Sequence, residues 1–155
     1  MRFLPVLVLM STILFAADNP FLGTWKLNTA KSKSNPMPVA QSMIVKFEAD
    51  GEKVRRTATG VDGEGKPIMQ GSPKGSSIAW DGKDHAVETP DGSPMTVAVK
   101  RVNDRRNDVT VKQNGKVTVT VRSVVSKDGK TMTNTVKGVN EKGEKFHQVE
   151  VLEKQ

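Results

Sequence analysis

The stretch VTVKQNGKVTVTV, residues 109–121, alternates valine with polar residues on both sides of Asn114-Gly115. A period of two belongs to a β-strand with one buried face. Asn-Gly tolerates the positive φ that a two-residue hairpin turn requires. The stretch therefore reads as two antiparallel strands and their turn. The same punctuation recurs at Asp50-Gly51, Asp62-Gly63, Asp81-Gly82, Asp91-Gly92 and Asp128-Gly129, and nearly every gap between these pairs is one or two strands long.

Working outward, alternation predicts about ten short strands and no helix in the body of the chain. The first lies over 22–28, followed by a loop at 29–39, where Pro36 and Pro38 are expected to forbid ladder pairing. Strands are then expected over 42–48, 53–61, 67–71, 76–80 and 86–89. Met95, Val97 and Val99 alternate in the next strand, and a polar turn at 103–107 leads to the hairpin already quoted. Val117, Val119 and Val121 should share one face until Val124-Val125 breaks the phase, which predicts a bulge. Thr131 to Val136 and Phe146 to Glu153 complete the run. Sequential hairpins make an all-β, antiparallel up-and-down meander of about eight to ten strands. Closing it into a barrel removes its edges; a two-sheet sandwich needs longer connections than most of these turns provide.

Met1-Arg2, the apolar run Phe3 to Phe15 and Ala16-Ala17 have the charged start, short apolar middle and small-residue exit of a secretory signal peptide. The run is too short to span a bilayer as a helix. The expected organisation is a signal peptide over 1–17 and a single domain over 18–155, not integral to a membrane once the signal is removed. The chain has no Cys, so neither disulfides nor a lipid-modified cysteine enter, which fits a secreted or periplasmic bacterial protein better than a small secreted eukaryotic one.

Leu22-Gly23-Thr24-Trp25-Lys26-Leu27 resembles the opening of the lipocalin and fatty-acid-binding-protein superfamily, the calycins, whose first strand begins Gly-x-Trp. Asp128 to Thr133 and the closing Val151-Leu152-Glu153-Lys154 are similar to the last two strands of intracellular fatty-acid-binding proteins. The resemblance implies a calycin-like barrel in which Trp25 plugs the closed end and Gly23 lets another backbone approach, a structural motif. It also marks two departures. The Pro- and Lys-rich stretch 29–39 stands where those proteins insert a helical lid, and Glu150 and Leu152 stand where they commonly carry an Arg and a Tyr that hold a ligand carboxylate.

The Val, Thr and Ala of the last strands are small for a solidly filled barrel, which favours a hollow or wet interior. Its candidate ligand-contacting residues are Met43, Val45, Phe47, Trp80, Met95, Val97, Val119 and Val121, with Trp80 and the 29–39 loop near an entrance. The same residues would equally pack a dry core. Nothing points to a cofactor, a metal site or a catalytic residue: the two histidines, His85 and His147, are far apart, and Asp81, Asp84 and Glu88 are the nearest approach to a carboxylate cluster. The net charge of +7 favours anionic surroundings. Nucleic acid is a poor fit because basic groups such as Lys53-Arg55-Arg56 lack interleaved aromatics and read as solvated faces. Two functions follow. One is an exported monomer that binds a small apolar or amphipathic molecule; the alternative is a basic module with a filled interior that docks on an anionic envelope surface or a protein.

Overall fold

Eleven strands and no helix make up the residues described by the computed structural model, 19–68 and 74–155. In chain order they are β1 (Gly23–Leu27), β2 (Lys33–Asn35), β3 (Ser42–Asp50), β4 (Lys53–Val61), β5 (Ser76–Ile78), β6 (His85–Val87), β7 (Met95–Asn103), β8 (Arg106–Gln113), β9 (Lys116–Val125), β10 (Thr131–Val139) and β11 (Lys145–Lys154). The expected signal peptide lies outside the described residues, as does most of the strand expected at 67–71, of which an isolated bridge, Val61 to Pro67, is seen.

Every pairing is antiparallel, and the path runs β5-β4-β3-β1-β11-β10-β9-β8-β7-β6. First and last strands meet at its middle, with Trp25 opposite Lys154 and Leu27 opposite Leu152. The turn residues behave as their chemistry requires: Asn114 and Gly115 have φ of 50° and 76°, and Gln113 pairs with Lys116 across them. The sheet curls into a nearly closed barrel. At the seam, the chain leaving β5 crosses from β4 to β7, where Asp81 bridges Lys100 and Gly82 N donates to the Val99 carbonyl at 2.9 Å.

One end is plugged. Trp25 is fully buried, its Nε1 donates to the Phe21 carbonyl at 2.8 Å, and Lys154 Nζ sits 5.1 Å from the Trp25 ring centre. Leu27, Met43, Val45, Val125, Met132 and Leu152 complete the packed core with Phe21 and Trp25. Gly23 has φ of +120°, and a Cβ there would meet Lys154 Cε at 2.9 Å. The close neighbour is thus a side chain, not the backbone expected.

The structure corrects two local expectations. The 29–39 stretch is not all loop: Lys33, Ser34 and Asn35 pair with Val149, Gln148 and His147. The ladder stops before Pro36, so the proline rule limits the strand without forbidding it. No register shift occurs at Val124-Val125. Val119, Val121, Ser123 and Val125 all hold the inward phase, and Ser123 is simply a polar residue in a valine's place. The irregularity lies at Thr118, which is left over where Val111 pairs with Val119 and Lys112 with Val117. That extra residue turns Val117 outward, where it is 54% exposed.

Candidate functional site

Register decides what faces the lumen. Across β3 and β4, Val45 opposes Ala58 and Phe47 opposes Arg56; across β10 and β11, Asn134 opposes Glu150. The predicted contact residues then divide by wall. Met43 and Val45 are buried in the core, and Phe47 packs against it. Met95, Val97, Val119 and Val121 are half-buried, the last three opposing Val111 and Val109 in the β7, β8 and β9 wall. Trp80 is not near the mouth. β5 runs toward the plugged end, and Trp80 stacks edge-on against Phe21 at 5.4 Å and Phe47 at 6.1 Å, at the opposite end from the 29–39 stretch.

A polar row crosses the inner wall. Glu150, Asn134, Ser123 and Asn107 are successive partners on β11, β10, β9 and β8. Asn134 Nδ2 donates to Glu150 Oε2 at 3.2 Å, while the buried Oδ1 atoms of Asn134 and Asn107 have no hydrogen-bond partner among the described residues. Arg56 faces this lumen from β4, not solvent as its basic neighbours suggested. Burial pulls its guanidinium below the usual value, partly offset by the charge of Glu150. Burial likewise pushes the Glu150 carboxyl up, against the Asn134 hydrogen bond and the charge of Arg56. The two charges feel each other without an ion pair between them among the described residues.

Glu150 makes stability depend on pH with a definite sign. A carboxyl whose folded pKa exceeds its unfolded value keeps a proton that the unfolded chain has released. Stability therefore falls as pH rises from the ordinary carboxylate range through the raised value. Glu150→Gln, which mimics the protonated form, is expected to raise Tm at neutral pH, with the advantage vanishing in acid below the ordinary carboxylate range. Thermal melts across pH check this; an advantage that grows in acid would contradict it.

The lumen opens at the end away from Trp25 through a cleft of about 580 Å³. Leu27, Met43, Gln148 and Glu150 line its inner part, and Met37, Val39, Ala40 and Ile68 give it apolar sides. A shallower hollow of about 610 Å³ lies over Pro36, Val117, Gly138 and Phe146 at the rim of β9, β10 and β11. The other candidate chemistries are dispersed: Asp81 Oδ1 lies 2.8 Å from His85 Nε2, and Asp84 pairs with Lys112 Nζ at 2.6 Å. Basic residues on outer faces are widely paired, Arg55 with Asp50 and both Arg106 and Arg122 with Asp108.

Sequence reading missed Arg56 and the polar row as lumen residues. The signal for Arg56 was present: a turn of Gly51 and Glu52 alone puts Asp50 opposite Lys53 and hence Phe47 opposite Arg56.

No family model and no curated protein matches this sequence. Solved structures do match. A Schistosoma mansoni fatty acid binding protein in complex with arachidonic acid aligns with a TM-score of 0.57 at 17% identity, over 88% of this chain and 96% of that one. A zebrafish ileal bile acid-binding protein complexed with cholic acid aligns with a TM-score of 0.53 at 11% identity, over 88% and 99%. Together with the strand path, these likenesses show the fold: an antiparallel up-and-down β-barrel of the kind those two proteins have.

Proposed function

We propose that this protein is an exported binding protein that holds a small apolar or amphipathic molecule in its barrel lumen. The observation that carries this reading is the asymmetry of the interior. Toward the plugged end Val45, Val125, Met132 and Leu152 join Trp25 at near-zero exposure, whereas Val97, Val119 and Val121 point inward nearer the opposite end yet stay half-buried. Inward apolar side chains that are not fully packed, in a barrel that also has a cleft of a size that holds a small ligand, are what a binding barrel requires. The lipid and the bile acid in the two aligned barrels support the same reading.

Native mass spectrometry of protein purified from its own host, paired with titration of an uncharged solvatochromic dye, tests it. The expected result is a co-purifying small molecule, or saturable dye binding that weakens at least tenfold in Val121→Trp while circular dichroism shows the fold intact. Clean apoprotein that also ignores the dye would reject the reading. The mass of the recovered chain checks export, since the expected mature protein begins near Ala17 or Asp18.

A further inference from the structure

We propose that Glu150, Asn134 and Asn107 form a head-group subsite for an amphiphile whose head donates hydrogen bonds and bears no negative charge. This rests on the lumen-binding reading above and narrows its ligand class.

Three independent observations converge. First, the row holds buried acceptors that have no hydrogen-bond partner among the described residues. Asn107 is only 3% exposed and its Oδ1 is unpartnered; Asn134 has spent Nδ2 on Glu150 and its Oδ1 is also unpartnered. Buried acceptors left unpaired are costly, so a ligand bringing hydroxyl or amine protons recovers more here than it does in water. Ser34 Oγ, on the lumen face of β2 opposite Gln148, is a further buried oxygen without a partner. Second, the way in is acidic. Asp62, Glu64, Glu141 and Glu144 line the cleft against Lys33 and Lys142, although the chain as a whole is basic, so an anionic head meets repulsion before reaching Glu150. Third, the β11 end of the row is itself a carboxyl group, Glu150, held against Asn134 on the lumen face. A carboxylate head thus finds a carboxyl group where it needs a cation.

Arg56, a cation facing the lumen from β4, could reverse this preference, and the experiment is built to let it. Displacement of the uncharged dye by monolaurin is compared with displacement by laurate, which shares its acyl chain and differs in its head. The expected result is at least tenfold stronger displacement by monolaurin, with the ratio collapsing toward unity in Asn134→Leu and in Asn107→Leu. Two variants on different strands guard against one failing to fold. Laurate binding as tightly as monolaurin, with laurate binding lost in Arg56→Met, would overturn the proposal by placing an anion at Arg56. A ratio that survives both asparagine substitutions would overturn it as well. A protein that binds dye, monolaurin and laurate not at all would instead reject lumen binding itself.

Discussion

Trp25→Ala is expected to destabilise the protein by about 3–5 kcal/mol, in the range for removing a large aromatic from a packed core. The residue is fully buried at the junction of β1, β3 and β11, opposing Val45 on one side and Lys154 on the other. Truncation leaves a cavity that Phe21, Val45 and Leu152 cannot collapse to fill, because each belongs to the same rigid end of the barrel. It also strands the Phe21 carbonyl that accepts from Nε1 and removes the ring face beneath Lys154 Nζ. For a domain of this size such a loss lowers Tm by roughly 10–20 °C. Trp25→Phe should cost distinctly less, since it keeps most of the volume and gives up the hydrogen bond. Urea denaturation followed by circular dichroism measures both; an alanine variant within 1 kcal/mol of the parent would show that the plug is not what holds the two terminal strands together.

That plug was legible in the sequence, as were most of the strands, because both follow from local rules. Gly-x-Trp at the start, Asp-Gly and Asn-Gly at the turns, and valine alternation between them each state a conformation without reference to distant residues. The expected strand at 53–61 coincides with β4, and the Asn114-Gly115 hairpin has its predicted geometry. What escaped depends on partners far along the chain. β2 exists only because β11 offers an edge to Lys33, Ser34 and Asn35 more than a hundred residues away, and no periodicity in three residues can announce it. The turn after Trp80 places it at a rim, but which rim depends on the direction of β5.

The lumen was the least readable part, for a physical reason. Where inward positions carry polar side chains, as at Arg56, Asn134 and Glu150, the alternation that reveals a packed face loses its contrast. Val124-Val125 reads as a phase break because Ser123 stands in a valine's place, and Arg56 beside Lys53 and Arg55 reads as part of a solvated face, whereas Ser123, Val125 and Arg56 are all inward residues in phase. Counting outward from a two-residue turn recovers Arg56. Nothing local recovers the alignment of Asn107, Ser123, Asn134 and Glu150, which three separate hairpin registers must agree to produce.

Gly60→Ala is expected to be the most damaging of the glycine substitutions, by about 3 kcal/mol or more. Gly60 lies in β4 opposite Met43 with φ of +151°, a conformation side chains avoid. A Cβ there would run into the Ser42 carbonyl oxygen and come within 2.8 Å of Met43 Cα, and because these atoms are backbone they cannot swing aside as a side chain would. The strands must part, and Met43 is a core residue only 4% exposed. The seam makes this worse: among the described residues β5 supports β4 only over Val54, Arg55 and Arg56, and the upper half of β4 is held by β3, by the Val61–Pro67 bridge and by the bond from Ile68 N to the Gly60 carbonyl. Gly92→Ala separates clash from conformational strain, since Gly92 has φ of +73° and nothing within 4 Å of the added carbon, and should cost about 1 kcal/mol. Chemical denaturation of the pair, with limited proteolysis to detect cleavage within β4, distinguishes the two causes. Equal losses in both variants would mean that backbone conformation alone is felt, and that β3 and β4 are free to move apart at the mouth of the lumen.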